Sequence, residues 1–157
     1  MSTLDSLNEK FYAAADSRSM SMMDLLALFK RGGSARVTDL HLKVGRPPCY
    51  RVDGELKVTG ARPLDQPTME RLARTLLDDT QMKTLQQHRS VNASRVIETF
   101  RYRLNAYHDI RGLALAIRAL DTTLPSIEFV GFPNAVWKDI VNLSQGLVLV
   151  TGPTGSG

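Results

Sequence analysis

Two stretches of this chain share a wholly apolar face in one pairing register. In residues 100–107, Phe100, Tyr102, Leu104 and Ala106 alternate with Arg101, Arg103, Asn105 and Tyr107. A period of two is the mark of a strand with unlike faces. Residues 113–120 read as a second strand. With Asp109-Ile110-Arg111-Gly112 as a four-residue hairpin loop, Ala106 faces Leu115, Leu104 faces Ile117 and Tyr102 faces Ala119. A slip of one residue would turn the whole apolar set to the other face, so this register is strongly specified.

The same register sets Arg103 opposite Arg118. Like charges directly opposed destabilise a ladder, so removal of this pair is expected to leave the fold equally or more stable. Ala114 and Ala116 on that face are small and leave room for a ligand. One reading is a polyanion site built on two arginines. The other is that both side chains extend into solvent or pair with carboxylates of another element.

The rest of the chain reads as helices and short strands. Ser21-Met-Met-Asp24 has the spacing of a capping box, and Met22, Leu25, Leu26 and Phe29 follow at helical spacing until Gly32-Gly33. Asp39 to Val44 alternates, with Leu40, Leu42 and Val44 on one face and His41 on the polar one. A lone strand histidine is more often a surface or hydrogen-bonding residue than a ligand. Tyr50–Val52 and Glu55–Val58 flank Asp53-Gly54, the residues preferred in a type I′ hairpin turn. Asp65 caps a helix with Pro67 in its first turn and Met69, Leu72, Ala73, Leu76 and Leu77 on one stripe. A short helix over residues 80–88 carries Met82 and Leu85 inward. A strand is expected near Arg95 to Glu98.

At the far end, Leu147 to Val150 is a β-branched apolar run of the kind found in buried parallel strands. It leads into Gly152-Pro153-Thr154-Gly155-Ser156-Gly157, the first six positions of G-x-x-x-x-G-K-[ST]. That pattern cradles phosphates on backbone N–H groups at a helix N-terminus. Asn134 is placed to cap the preceding helix, with Val136, Trp137, Ile140 and Val141 inward.

Composition is that of an ordinary folded domain, 43% hydrophobic and 23% charged. No apolar run approaches the roughly 18 residues of a membrane span, and the N-terminus lacks a signal-peptide pattern. Cys49 is the only cysteine, which excludes an internal disulfide and reads as a packed thiol. No metal-ligand cluster is visible. Net charge is +4. Residues 101–118 concentrate Arg101, Arg103, Arg111 and Arg118 against Asp109, but no nucleic-acid-binding motif accompanies them, and no nucleic-acid partner is expected.

Several segments occur together and in order: Thr38-Asp-Leu-His-Leu42, Pro47-Pro48 before Tyr50-Arg-Val-Asp-Gly54, Arg101-Tyr-Arg-Leu-Asn-Ala106, Leu124-Pro-Ser-Ile-Glu128, Gly131-Phe-Pro133 and the run from Gly146 to Gly157. From about residue 20 onward the chain resembles the amino-terminal part of the type II secretion and type IV pilus motor ATPases, above all the pilus-retraction, or twitching-motility, branch. The resemblance implies an α/β (α+β) fold. Residues 21–121 would form a PAS-like domain with a mainly antiparallel sheet and packed helices. Residues 122–131 would be a linker, and 132–157 the truncated start of a RecA-like P-loop domain. Residues 1–20 have no family counterpart and are expected to be a flexible extension. Ser90 to Thr99 departs from the acidic and aromatic strand usual in the family.

The resemblance further implies a cytoplasmic homohexamer acting at the bacterial inner membrane with a pilus or secretion platform protein. ATP and Mg²⁺ would bind in the full-length protein, between its two domains. Residues Gly152, Pro153, Thr154, Gly155, Ser156 and Gly157 would hold phosphates. Arg103 and Arg118 would project toward them, with Arg111 on the same hairpin. The fragment itself is expected to be monomeric and inactive. Two alternatives stay open: a PAS-like sensory or interaction module, and a conjugation-type (type IV secretion) ATPase.

Overall fold

The computed structural model describes residues 3–13, 19–30, 36–121, 126–132 and 134–152. The chain divides into two compact units, Met1–Thr122 and Thr123–Gly157.

The first unit is a six-stranded antiparallel sheet with helices on one face. Its elements run α1 (Thr3–Asn8), β1 (Tyr12–Ala13), β2 (Ser19–Met20), α2 (Met22–Leu26) with a 3₁₀ turn (Ala27–Lys30), β3 (Val37–Lys43), β4 (Cys49–Val52), β5 (Glu55–Val58), α3 (Gln66–Leu76), α4 (Asp79–His88), β6 (Ser90–Ile97), β7 (Phe100–Asp109) and β8 (Gly112–Asp121). The strand order is β5-β4-β3-β8-β7-β6, and every neighbouring pair is antiparallel. This is the PAS-like α/β class that the resemblance implies.

Local chemistry starts and stops these elements. Ser21 and Asp24 form the reciprocal capping box, with Asp24 N–H donating to Ser21 Oγ at 3.1 Å and Ser21 N–H to Asp24 Oδ2 at 2.8 Å. Asp65 accepts from Thr68 N–H at 2.9 Å and opens α3. Asp53 and Gly54 turn the β4–β5 hairpin with φ of +51° and +85°, the left-handed pair of a type I′ turn.

The β7–β8 register is the one the apolar face demands: Ala106 pairs Leu115, Leu104 pairs Ile117 and Tyr102 pairs Ala119. The loop is tighter than the four residues expected. Asp109 pairs with Gly112, leaving Ile110-Arg111 as a two-residue turn. Asp109 Oδ1 accepts from Arg111 N–H at 2.8 Å, so the carboxylate supplies the turn's missing partner.

The core lies between the sheet and the helices. Leu40, Leu42, Tyr102, Leu104, Leu115 and Ile117 meet Met22, Leu26, Met69, Leu72, Leu76 and Leu85. Phe29 packs edge-on against Tyr50 and Tyr102, with ring centroids 6.4 and 5.7 Å away. Buried aromatics keep their polar ends satisfied where they can; Tyr50 Oη donates to Leu25 O at 2.8 Å.

One expectation is corrected here and another extended. The first twenty residues are not a loose extension in their described part. Leu7 and Tyr12 are buried in the core, the Tyr12 hydroxyl donates to Arg62 O, and Arg71 lies over the Phe11 ring while pairing with Glu9 at 2.6 Å. Apolar side chains at Leu7, Phe11 and Tyr12 gain more by covering helices α2 and α3 than by solvation. The strand expected near Arg95 is the eight-residue β6. Its alternation was hidden because an arginine sits among the inward residues; Arg95 Nε donates to Leu76 O at 2.9 Å.

The second unit contains α5 (Ile127–Val130), inside the expected linker, and α6 (Val136–Val141). Ser126 caps α5, accepting from Phe129 N–H at 3.2 Å, and Gly131 ends it at φ +71°. Asn134 Oδ1 accepts from Val136 N–H at 2.9 Å at the start of α6. Val136 and Val141 are exposed, and Trp137 and Ile140 only half-buried, rather than all inward. Leu147 to Val150 is also exposed and forms no strand. A parallel strand needs flanking strands to satisfy its backbone, and the described residues of this unit offer only two short helices.

Candidate functional site

The sheet has one face under helices and one face open. Period-two geometry sends Asp39, His41 and Lys43 of β3 to the open face, together with Ala114, Ala116 and Arg118 of β8 and Arg101, Arg103, Asn105 and Tyr107 of β7. Ladder pairing then arranges them in rows. One row runs Arg51, Asp39, Arg118, Arg103 and Ser94 across five strands; the next runs Cys49, His41, Ala116, Asn105 and Asn92.

Arg103 and Arg118 are directly opposite, and with Asp39, His41, Asn105 and Ala116 they line a shallow depression of about 190 Å³. The two arginines are not equivalent. Arg118 Nε donates to Asp39 Oδ1 at 2.8 Å. Arg103 has no ion pair among the described residues. The depression therefore holds one neutralised guanidinium and one free one above a small alanine floor. Such an arrangement accepts an anion on Arg103 while Arg118 keeps a fixed direction.

Asp39 is the residue that sequence reasoning missed. It is 6% exposed, yet it is ionised. Burial raises its carboxyl pKa, but hydrogen bonds from Arg118 and from the Thr38 hydroxyl (2.8 Å) outweigh that and hold it below the usual range. Arg51 Nε stands 3.5 Å from its other oxygen. The sequence signals were an acidic residue on the polar side of an alternating strand and its place in the Thr38–Leu42 segment of the resemblance.

His41 lies beside this cluster. Burial lowers its pKa, and Arg51 and Arg118 lower it further against the opposing pull of Asp39. Its buried Nε2 has no hydrogen-bond partner in the structure. No group of three or more His, Cys, Asp or Glu among the described residues can hold a metal.

Arg111 separates from the other two candidates. It sits on the exposed hairpin turn and lines a different recess, with Lys43 and Arg46. Lys43 pairs with Asp109, and that bond together with the Arg111 N–H holds Asp109 below the ordinary carboxylate range. Of the phosphate loop, Gly152 is described and exposed; Pro153, Thr154, Gly155, Ser156 and Gly157 lie outside the described residues. No described helix is long and apolar enough to cross a membrane.

No protein-family model matches the chain. Individual proteins do. It is 34% identical over 139 residues to the type IV pilus retractation ATPase PilT of Pseudomonas aeruginosa, covering 88% of this chain and 39% of that protein. It is 32% identical over 111 residues to a twitching motility protein of Neisseria gonorrhoeae, covering 70% of this chain and 29% of that one. A crystal structure of the pilus retraction motor PilT with bound ADP superimposes with a TM-score of 0.72 at 28% identity, over 88% of this chain and 40% of the motor. The chain thus spans about two fifths or less of the length of these relatives. Over 88% of its length the chain is homologous to the type IV pilus retraction ATPase PilT.

Proposed function

We propose that this chain is the amino-terminal part of a hexameric, cytoplasmic ATPase that couples ATP hydrolysis to type IV pilus retraction or to type II secretion. The observation that carries this reading is homology to a retraction ATPase across 88% of the chain, ending in the first six positions of a phosphate loop. Residues 21–121 act as a PAS-like domain, 122–131 as the connection, and 132–157 as the start of a RecA-like domain. Gly152 to Gly157 hold the phosphates of ATP, and Mg²⁺ binds with them in the full-length protein. Arg103 and Arg118 meet developing phosphate charge as arginine fingers do, and Arg111 belongs to the same hairpin. Binding to an inner-membrane platform protein brings the hexamer to its work.

The test is ATP turnover by the full-length protein. Arg103→Ala is expected to cut it by at least about tenfold, within the range known for arginine fingers. Arg101→Ala, on the same face but opposite Leu120, is the control and should leave turnover within about twofold of the unsubstituted protein. Equal losses at Arg101 and Arg103 would overturn the assignment.

A further inference from the structure

Cys49 is not packed away in the core. It is a free, half-buried thiol, and it lines a recess of about 540 Å³ bounded by the β3–β4 connection, edge strand β5 and the β7–β8 turn. That volume lies within the roughly 300–1,000 Å³ of small-ligand sites. Leu56 and Val58 of β5 give the recess an apolar wall and stand largely exposed.

A second residue of the same recess faces the thiol. His41 and Cys49 are paired directly across β3 and β4, which sets their Cβ atoms about 4.5–5.5 Å apart. His41 Nε2 is covered and has no hydrogen-bond partner. With its pKa lowered by burial, the ring is neutral at neutral pH, and a neutral imidazole keeps one nitrogen as an acceptor. A thiol beside such a ring can pass its proton to it, the usual activation of a cysteine nucleophile.

The rest of the polar lining is cationic: Lys43, Arg46, Arg51 and Arg111, with no carboxylate among the lining residues. Lys43 is paired with Asp109 and Arg51 with Asp39. Arg46 and Arg111 have no carboxylate partner among the described residues. Their unneutralised charge draws anions toward the thiol, and each guanidinium is a planar fork that fits a carboxylate.

We infer that Cys49 is a modification site for small acidic peptide disulfides, with His41 as the base and with Arg46 and Arg111 holding the peptide's carboxylates. His41 takes the thiol proton, and Cys49 Sγ attacks one sulfur of the incoming disulfide. A new S–S bond forms as the old one breaks, and the leaving thiolate receives the proton from His41. The incoming disulfide is the oxidant: Cys49 is oxidised, and one half of the disulfide is reduced and leaves as a free thiol. The other half stays in the recess on Cys49. The inference goes beyond the proposed ATPase role and does not depend on it.

The test is the reaction of the 157-residue chain with excess glutathione disulfide, an acidic peptide disulfide, followed by intact mass. Neutral hydroxyethyl disulfide and the chain unfolded in urea are the references. One tripeptide is expected to add, at Cys49, the only thiol in the chain, and to add faster in the folded chain than in the unfolded one. The ratio of folded to unfolded rate removes the intrinsic reactivity of each disulfide. It should be at least about tenfold higher for glutathione disulfide than for the neutral one, and the difference should vanish in about 1 M salt. Arg46→Ala and Arg111→Ala, both exposed positions, should each slow glutathione disulfide by about threefold and leave the neutral disulfide unchanged. His41→Gln should slow both disulfides by at least about fivefold.

A folded chain that reacts no faster than the unfolded one would overturn the inference. Equal ratios for the two disulfides would overturn the part given to Arg46 and Arg111, and undiminished rates in His41→Gln would overturn the base. Should His41→Gln lose its fold by circular dichroism, the two arginine variants still decide the inference.

Discussion

Asp39 and Arg118 lie opposite each other on neighbouring strands, with Arg118 Nε donating to Asp39 Oδ1 at 2.8 Å. The carboxylate is almost wholly covered, whereas the Arg118 side chain is 59% exposed. Asp39 is therefore the dependent partner. It also breaks the symmetry of the Arg103–Arg118 pair, because one arginine is neutralised from β3 and the other is not.

This asymmetry changes what arginine removal does. Arg118→Ala strips a covered carboxylate of its main donor and is expected to lower the chain's stability by about 1–3 kcal/mol. Arg103→Ala removes only a like-charge neighbour and should be neutral, or stabilising by up to about 1 kcal/mol. The expectation that loss of the pair leaves the fold equally or more stable thus survives for Arg103 alone. Urea unfolding of the two variants decides it; equal losses would contradict the role given to Asp39.

Acid should unfold the chain partly through the same cluster. The folded pKa of Asp39 is depressed, below an unfolded value near about 3.9. Its stabilisation is complete above that value and is lost as pH falls through the folded pKa, because the unfolded state binds the proton first. His41, also depressed, contributes stability above about pH 6.5 that is lost as pH falls toward its folded pKa. Melting temperature should drop in two steps, near pH 6 and below about pH 4. His41→Asn should remove the upper step, and Asp39→Asn should shrink the lower one, to which the depressed carboxylates Asp24, Asp65 and Asp109 also contribute.

The two hairpin glycines should differ in cost. Gly54 has φ +85° and nothing within 4 Å of an added Cβ, so Gly54→Ala pays only backbone strain, about 1 kcal/mol. Gly112 has φ +126°, and a Cβ there would stand 2.6 Å from Gln66 Oε1 and 3.3 Å from Val44 Cγ2. Gln66 Oε1 accepts from Leu113 N–H at 3.4 Å and would have to withdraw. Gly112→Ala is expected to cost at least about 2 kcal/mol, measured by the same urea unfolding.

The 157-residue chain is expected to sediment as a monomer and to hydrolyse no ATP. The phosphate loop stops at Gly157 before the lysine and hydroxyl positions of its pattern. A hexamer in analytical ultracentrifugation, or turnover above a buffer blank, would contradict this.

Much of the first unit was legible because its signals are local. The capping box at Ser21, the Asp65 cap, the type I′ pair at Asp53-Gly54 and the β7–β8 register each depend on residues close in the chain, and backbone sterics or a period of two decides them. The facing of Arg103 and Arg118 followed from that register. β6 was harder to read because Arg95 occupies an inward position, where its aliphatic stem packs and its head reaches a backbone carbonyl. Leu147 to Val150 read as a buried strand because apolar composition records a need for burial, not the presence of neighbours that supply it.

The amino-acid sequence by itself determined the hairpins, the helix starts and the opposition of two arginines across one ladder, since each is settled by short-range geometry. Only the tertiary structure decided which of those arginines is free. Asp39 and Arg118 are 79 residues apart, and no local rule states that β3 lies beside β8 rather than at an edge. That adjacency comes from burying the apolar faces of both strands under the same helices. It carries the Asp39 carboxylate to Arg118, leaves Arg103 without a counter-ion, and sends Arg111 to a different recess.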